Sequence, residues 1–355
     1  MDAVPAPLLE VLRRLAPGTP LRDAVERILQ QGKGGLVILG SGPEVEAVCS
    51  GGFLLEDAPF TPQRLAELAK MDGAIVVDDD GEQILRANVH LLPDPSIPTD
   101  ETGSRHRTAE RVAQQTGRPV LSVSEGRSVA TVFAKEGKHQ LESSTQLLAR
   151  ANQALQTMER FRGRLDEAEE RLTRLEMEDL VTFRDVVALL QRNELVRRMG
   201  SDIEDYAVEL GGEGGLLRLQ LADLRQGIDR LRDLVVLDYV RPRRSSSYER
   251  ALQELEELPT QFVYEPLRVG FTLRIDRLDT QARPQGYRLL ERVPRLPESV
   301  KDALVDHFQD FQKMLRASPE DLDEVEGVGR ARALDLRQYF DRLLDDSRVW
   351  SVGDM

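Results

Sequence analysis

The middle of the chain, from residue 141 to about 280, is dominated by apolar residues spaced three or four apart. The clearest run is formed by Leu155, Met158, Phe161, Leu165, Ala168, Leu172 and Leu175. This spacing places apolar side chains on one face of an α-helix, which must then pack against a partner. Residues 216–237 follow the same pattern. Because the steps are irregular, they favour a bundle of helices over the alternative, a long dimeric coiled coil.

The first 140 or so residues differ, because short apolar runs alternate with segments of helical spacing. Helices are predicted over 61–70, where Thr61 and Pro62 supply an N-cap and a first-turn proline, and over 105–116. Strands are predicted at 36–39, 45–48, 74–77, 83–89, 119–123 and 129–133, with an Asp-Gly turn joining the third to the fourth. The mixture predicts an α/β domain built on one mixed sheet.

Composition narrows the class of protein. The 355 residues include one cysteine, Cys49, which excludes an internal disulfide and a multi-thiolate metal site. No signal peptide is evident, and no apolar stretch approaches the roughly 20 residues that span a bilayer, so we expect a cytoplasmic protein without membrane contact. The net charge of −14 argues against bulk attraction to nucleic acid. Any DNA contact must therefore be local and salt-sensitive.

Two short polar clusters in the first domain are candidates for chemistry. Asp72-Gly73-Ala74 precedes a strand, and residues 103–108, Gly-Ser-Arg-His-Arg-Thr, precede a helix. Two arginines and a histidine beside the positive end of a helix dipole favour a polyphosphate ligand. A carboxylate at Asp72 suits a divalent cation or a sugar hydroxyl, and Gly73 would let a nucleotide approach the backbone. Taken singly, an Asp-Gly turn and a solvated helix start are the plainer interpretations, but the combination favours phosphoryl chemistry.

These clusters resemble the two signature motifs of the diadenylate cyclase family, an Asp-Gly-Ala triplet and an Arg-His-Arg stretch usually preceded by Gly-Thr. Residues 88–125 are similar to the DNA-integrity scanning branch of that family, and the likeness covers essentially the whole chain. The resemblance implies that two ATP molecules are condensed into cyclic di-AMP and two pyrophosphates with a divalent cation, Mg²⁺ or Mn²⁺. One departure is Ser104, where the family usually has Thr, although the hydroxyl is retained.

The same resemblance implies roles for individual residues. Those expected to bind ATP are Gly73, Ala74, Leu91, Ser104, Arg105, His106, Arg107 and Thr108. Asp72 would bind the metal and help to activate the ribose 3′-hydroxyl, and Arg105, His106 and Arg107 would act with it in catalysis. Leu91 would pack near the base.

The product also constrains assembly. Its two identical halves are joined by two 3′–5′ bonds, so one ATP-holding domain must face another through a two-fold interface. The reaction alone implies at least a dimer, and the resemblance implies an octamer.

A second constellation lies near the C-terminal end. A capped helix start at Ser318 is followed by a Gly-Val-Gly turn and another helical segment. This pattern is similar to a helix-hairpin-helix motif, whose turn donates backbone N–H groups to a DNA phosphate without reading bases. The predicted DNA-binding residues are Gly327, Gly329, Arg330 and Arg332.

Residues 293–308 look like a degenerate first copy of this motif, and paired copies commonly grip both strands by shape. The alternative is a plain helical hairpin that binds protein, since acidic residues outnumber basic ones between residues 288 and 348. Arg241, Arg243, Arg244 and Arg283 would widen the basic surface.

The sequence thus predicts an α/β protein with three domains: a mixed-sheet diadenylate cyclase domain (1–145), an all-helical spine (146–285) and a tandem helix-hairpin-helix domain (286–355). The expected function is a diadenylate cyclase regulated by branched or damaged DNA, bound without sequence preference, with DNA lowering synthesis through the spine. The alternative is a DNA-structure-binding adaptor whose nucleotide site only senses. A nuclease is disfavoured because acidic metal ligands do not cluster on one element.

Overall fold

The computed structural model describes residues 5–240 and 245–352. The chain divides into two compact units, one built from residues up to 154 with 202–221, the other from 155–201 with the residues from 222 onward. The helices of the first 140 residues are α1 (Ala6–Arg14), α2 (Pro20–Gln30), α3 (Pro43–Val48), α4 (Pro62–Leu68) and α5 (Ser104–Thr116). The strands are β1 (Gly35–Leu39), β2 (Cys49–Ser50), β3 (Phe53–Leu54), β4 (Ala74–Val77), β5 (Ile84–Leu91), β6 (Val120–Ser124), β7 (Val129–Ala134) and β8 (Gly137–Leu141).

These strands form one mixed sheet in the order β2-β5-β4-β1-β6-β7-β8, and β3 also pairs with β5. Strands β1 and β4 are parallel, whereas β1 is antiparallel to β6 and β4 is antiparallel to β5. The predicted α/β architecture with a mixed sheet is therefore confirmed.

Both faces of the sheet are covered, which explains why its central strands are apolar throughout. On one face Val37 and Leu39 pack with a core that includes Val25 and Ile28 of α2. On the other, Ile38 packs with a core that includes residues of α3 and α5. Alternate side chains of β1 thus enter different cores, as the two-residue period of a strand requires.

The predicted strand at 45–48 is wrong, because these residues form α3. Gly42 precedes the helix with φ at +135°, and Pro43 occupies its first turn, a position that suits proline. Val45 and Val48 are three residues apart and both buried, so the apolar spacing is that of a helix. The last strand, β8, was not predicted, because its exposed residues lack a clear alternation.

The remaining elements are helical. They are α6 (Ser144–Met177), α7 (Phe183–Leu210), a 3₁₀ turn (Gly211–Gly214), α8 (Gly215–Arg225), α9 (Ile228–Tyr239), α10 (Ser245–Glu257), α11 (Thr260–Val263), α12 (Pro266–Thr272), α13 (Tyr287–Leu290), α14 (Glu298–Phe308), α15 (Phe311–Arg316), α16 (Pro319–Asp323) and α17 (Gly329–Val352). The helical pattern over 216–237 is confirmed but interrupted, because Gly227 adopts φ +76° between α8 and α9. Within the described ranges no helix is long and apolar enough to cross a membrane.

The long helix α6 buries its apolar face within the chain. In the second unit Leu155, Met158, Leu165 and Leu172 are each at most 3% exposed. Helix α7 contributes Asn193, whose side-chain amide donates to the carbonyl of Ile228 in α9 at 2.8 Å. These contacts are those of a helical bundle within one chain, whereas a dimeric coiled coil would leave the apolar face exposed until a second chain binds.

The C-terminal helices share a core of their own, which includes Leu304, Phe311, Leu322, Leu336 and Phe340. The two boundaries between the three domains predicted from the sequence stay predictions. The basic stretch at residues 241–244 lies outside the described residues.

Candidate active site and C-terminal hairpins

Strand register brings the first polar cluster to one end of the sheet. Val37 of β1 pairs with Ile75 of β4, so the residues just before both strands lie at the same end. Ala74 pairs with Val89 in the antiparallel β5, so that strand finishes toward this end with Leu91. Because β6 is antiparallel to β1, it also ends there, and α5, which precedes β6, begins there.

Asp72 and Arg105 form an ion pair at this end of the sheet. Nη2 of Arg105 donates to Oδ1 of Asp72 at 2.9 Å, across 33 residues of sequence. The Asp72 side chain is 94% exposed and that of Arg105 is 41% exposed. The two polar clusters predicted from the sequence therefore share one site, open to solvent.

The start of α5 offers further donors. Gly103 is its N-cap and supplies no side-chain cap, and the first backbone hydrogen bond into the helix runs from Arg107 N–H to the Gly103 carbonyl at 2.9 Å. The amide groups of Ser104, Arg105 and His106 precede that bond, so helix geometry leaves them to a ligand or to solvent. Anions are favoured at such a terminus.

The other polar side chains of the cluster differ in exposure. Ser104 and Arg107 are exposed, and Thr108 is half-buried. In residues 5–240 and 245–352 Arg107 forms no ion pair, so its guanidinium is available to a ligand at the first turn.

His106 points away from the site. It is buried, its Nδ1 lies 3.4 Å from Oγ of Ser122, and its ring meets Phe133 edge to face at 5.8 Å between centroids. Burial is the largest cause of a lowered pKa, so the neutral imidazole is favoured. The geometry leaves its backbone N–H, rather than its side chain, to face a ligand at the helix start.

The missing side chain of Gly73 allows the backbone of Asn88 to approach closely, in addition to any space it leaves for a ligand. A Cβ at this position would lie 2.4 Å from the carbonyl carbon and 2.6 Å from Cα of Asn88. Asn88 has φ at +55° within β5, beside a register irregularity between Ala74 and Val76. Sequence reasoning missed Asn88, whose role depends on the backbone conformation of β5 and its pairing with β4.

Gly34 is a second residue that sequence reasoning did not assign to the site. A Cβ there would lie 2.4 Å from Nη1 of Arg105 and 3.2 Å from the carbonyl oxygen of Val123. Any side chain at Gly34 would therefore displace the guanidinium that pairs with Asp72. The Gly34-Gly35 pair at the start of β1 was the signal in the sequence.

The residues expected to contact a nucleoside lie beside this end of the sheet. Ala74 is buried as the first residue of β4. Leu91 is half-buried, pairs with Cys49 across β2 and packs on the core beneath α5. Leu91 thus offers a partly exposed apolar surface near the end of β5.

Asp72 is the predicted metal ligand, so its fit to a divalent cation matters. Among the described residues no group of three or more histidine, cysteine or acidic side chains could hold a metal by itself. Mg²⁺ usually binds one or two carboxylates together with substrate phosphates and waters. An exposed carboxylate beside a phosphate-binding helix start fits that donor set.

The C-terminal helices contain two turns with the same hydrogen bonds. In the second, Val325 N–H donates to the Leu322 carbonyl at 3.3 Å and Val328 N–H to the Val325 carbonyl at 3.1 Å. In the first, Val293 N–H donates to Leu290 at 3.0 Å and Leu296 N–H to Val293 at 3.4 Å.

A residue of positive φ occupies the same place in both turns, Arg295 at +60° in the first and Gly327 at +83° in the second. The segment at 293–308 therefore repeats the first part of the Gly-Val-Gly turn, and helix α14 follows it as α17 follows the second. The last position differs, because φ is +64° at Gly329 and −65° at Pro297.

The two arginines predicted to bind DNA are not equivalent. Arg330 is exposed on the first turn of α17 and forms no ion pair with any residue in the described ranges. Arg332 is half-buried and donates from Nη1 to the carbonyl of Gly327, so it closes the turn. A capping box between Ser318 and Asp321 begins α16, as the sequence predicted.

Comparisons with known proteins bear on both regions. Residues 22–138 match the family described as "DisA bacterial checkpoint controller nucleotide-binding", and residues 141–279 match "DisA bacterial checkpoint controller linker region". A DNA integrity scanning protein DisA from Streptomyces coelicolor is 49% identical over 343 residues, which covers 95% of this chain and 91% of the relative. The chain belongs to the DisA family.

A second DisA relative, from Kineococcus radiotolerans, is 49% identical over 347 residues and spans 95% of this chain and 96% of its own length. A solved structure of DacA from Staphylococcus aureus aligns with 39% of this chain and 91% of its own, at 19% identity and a TM-score of 0.30, too slight to bear on the fold. The family membership expected from the two motifs is confirmed, and Asp72 and residues 104–108 fall within the segment that matches the nucleotide-binding family of DisA.

Proposed function

We propose that this protein is a diadenylate cyclase that condenses two ATP molecules into cyclic di-AMP and two pyrophosphates. The observation that supports the proposal most directly is the 2.9 Å contact between Asp72 and Arg105 at the start of α5. It joins an acidic group and a phosphate-binding group in one open site within the segment that matches the nucleotide-binding family.

The triphosphate binds at the helix start. Arg105 and Arg107 present guanidinium groups that suit phosphate oxygens, and the amides of Ser104, Arg105 and His106 donate to them. The hydroxyls of Ser104 and Thr108 add polar contacts. These donors also stabilise the negative charge that builds up on the leaving pyrophosphate.

Each bond is made between two facing sites. The 3′-oxygen of one ATP forms a bond to the α-phosphorus of the other, the bond from that phosphorus to the pyrophosphate oxygen breaks, and the hydroxyl proton is released. Asp72 orients that hydroxyl and favours loss of its proton. A divalent cation, held by Asp72 and the phosphates, supplies charge neutralisation.

Asp72 serves two partners in this scheme. In the structure it pairs with Arg105. With a triphosphate bound, Arg105 would contact the phosphate, and the Asp72 carboxylate would then be available to the ribose hydroxyl and to a divalent cation. Because the Asp72 side chain is 94% exposed, one copy leaves the reacting end of the site open. A second copy closes it, so catalysis requires at least a dimer with a two-fold interface.

We also propose that the C-terminal turns bind branched or damaged DNA through its backbone. The shared hydrogen bonds and the shared residue of positive φ in the turns at 293–296 and 325–328 support this, because paired motifs can contact both strands. The chain passes between its two units within α6, α7 and α8, and bound DNA acts through these helices to lower synthesis.

Chromatography of the product formed from ATP and Mg²⁺ or Mn²⁺ tests the enzyme, and the same assay with a four-way junction tests the regulation. Cyclic di-AMP, reduced by the junction, is the expected result. ATP binding without product under either metal would instead support the adaptor, and junction binding without any change in rate would remove the regulation.

A further inference from the structure

A cavity of about 720 Å³ lies within the second unit, apart from both sites described above. It is formed where the end of α9 meets α10 and the turn that follows α12. Its volume falls within the range of roughly 300–1,000 Å³ that is typical of small-molecule sites.

Four arginines line this cavity: Arg250, Arg274, Arg277 and Arg283. The acidic residues that line it are Glu254 and Asp276, so cationic groups are in excess. Such a local excess is notable in a chain whose net charge is −14, where most of the surface repels anions.

The arginines are only partly neutralised. Arg274 pairs with Glu254 at 2.8 Å, and Arg283 lies 3.7 Å from Asp310. Arg250 and Arg277 are exposed, and neither has an ion-pair partner among the side chains described at residues 5–240 and 248–345. Two guanidinium groups are therefore free to bind a ligand, and a third is loosely held.

The floor of the cavity is apolar. Tyr239, Leu273 and Ala251 are each at most 5% exposed, and Phe183 is half-buried beside them. The Tyr239 hydroxyl is directed away, because it donates to Glu176 at 2.5 Å. An apolar floor with a cationic rim suits a ligand that has a flat organic part and phosphate groups.

Arg274 stands where glycine is favoured. Helix α12 ends in a Schellman motif, in which Ile275 N–H donates to the Gly270 carbonyl at 2.8 Å and Arg274 N–H to the Phe271 carbonyl at 3.0 Å. Arg274 is the left-handed residue of that motif, with φ at +61°. An arginine here carries backbone strain that glycine would avoid.

We propose that this cavity binds a phosphorylated small molecule of nucleotide size, with Arg250, Arg274 and Arg277 on its phosphates. A concave site of this volume suits a compact ligand better than the convex surface of a duplex. DNA backbone phosphate has the same chemistry, so the test must separate the two.

The probe is inorganic tripolyphosphate, titrated calorimetrically into the full-length chain carrying Arg105→Ala and Arg107→Ala, which removes both guanidinium contacts to phosphate in the first unit. One site per chain is expected. Adding Arg250→Ala and Arg277→Ala weakens that binding by about 100-fold, because each charge-assisted hydrogen bond to phosphate is worth about tenfold in affinity. Arg268→Ala is the matched control, because Arg268 is exposed on α12 and does not line the cavity.

Arg274→Gly distinguishes binding from stability. It removes a rim charge and relieves the positive φ, so tripolyphosphate binding falls about tenfold while the melting temperature stays equal or rises. Unchanged affinity in the arginine variants overturns the proposal. So does a loss of four-way junction binding with tripolyphosphate binding intact, which would assign these arginines to DNA. The measurement does not depend on cyclase activity, so the two proposals can fail separately.

Discussion

The carboxylate of Asp72 and the guanidinium of Arg105 lie 2.9 Å apart at the open end of the sheet, where β4 and α5 both begin. An exposed ion pair of this kind contributes little to stability, about 0–1 kcal/mol. Its position is better explained by the proposed function, in which Asp72 would bind a cation and Arg105 a phosphate.

Arg105→Ala should weaken ATP binding at least tenfold, because a charge-assisted contact to phosphate is worth roughly 1.5–3 kcal/mol. The fold should be retained, since the side chain is 41% exposed. Calorimetric titration of ATP checks this, with Arg13→Ala on the exposed surface of α1 as the matched control. An unchanged affinity would show that the phosphates bind elsewhere.

Gly73→Ala should damage both the fold and the site. The new Cβ would meet the backbone of Asn88 at 2.4 and 2.6 Å, and backbone cannot yield as a flexible side chain does. We expect a loss of about 1–3 kcal/mol in the free energy of unfolding, measured by urea denaturation, and a loss of product. Gly126→Ala is the control, because nothing lies within 4 Å of its Cβ and its φ is not positive. Equal stability of the two variants would contradict this account of Gly73.

A buried carboxylate organises the start of the C-terminal helices. Asp238 accepts backbone N–H bonds from Gly286 at 2.8 Å, Tyr287 at 2.7 Å and Arg288 at 3.0 Å. Asp238→Asn leaves one oxygen for three donors and turns an NH₂ group toward one of them. The second unit should lose roughly 1–3 kcal/mol, seen as a lower urea midpoint. A midpoint equal to that of the wild type would mean that these bonds add nothing.

The pKa of Asp238 predicts that the free energy of unfolding depends on pH. Burial, followed by the negative charge of Glu176, raises the pKa of Asp238 to about 7. In the unfolded chain this carboxyl loses its proton near pH 4, so the folded state binds more protons between about pH 4 and 7. Its contribution to stability therefore falls as pH rises through that window and is constant above it.

Urea midpoints measured from pH 4.5 to 7.5 check this window. Asp238→Asn should remove the decrease in stability with rising pH, because the lowered pKa of His106 acts in the opposite direction. Glu291 titrates outside it, because hydrogen bonds from Arg230 and then Lys301 lower its pKa to about 2. Its contribution is complete above about pH 4.5 and is lost as pH falls toward 2. If the urea midpoint of Asp238→Asn still decreased as pH rises, the pH dependence would belong to another group.

Arg330 and Arg332 should respond differently to alanine substitution. Arg330→Ala should weaken junction binding and reduce the slope of log affinity against log salt by about 1, with the melting temperature unchanged. Arg332→Ala removes the bond to the Gly327 carbonyl, so it should lower the melting temperature as well. Salt titrations of binding and thermal melts of both variants check this. Identical behaviour of the two would contradict the assignment of Arg332 to the turn.

The fold was largely predictable where the apolar residues follow a single spacing, either that of a strand or that of a helix. Apolar strands such as 74–77 and the amphipathic spacing of α6 carry a single signal, and the structure confirms both. The prediction for 45–48 failed because four residues that include two valines fit the spacing of a strand and of a helix equally well. The deciding signals were Gly42 and Pro43, which precede the segment. The break at Gly227 was hidden by apolar spacing that continues through it.

The sequence predicted which two polar clusters form the site, but it did not predict the directions of their side chains. The two short motifs identified Asp72 and Arg105 as site residues. The inward direction of the His106 side chain could be predicted only from its position around the helix. His106 precedes the buried Ala109 and Ala113 by three and seven residues, which puts all three on one face of α5. The roles of Gly34 and Asn88 depend on pairing between distant strands, which one sequence does not display.

The most direct test of the central claim is product formation by Asp72→Asn. This variant keeps the shape of the side chain and the donors of α5, so ATP should still bind within about threefold of the wild-type affinity, while cyclic di-AMP falls at least 100-fold on chromatography, the range expected for loss of a group that activates the nucleophile. Product at the wild-type rate from Asp72→Asn would contradict the account, because the carboxylate beside Arg105 would then take no part in the reaction.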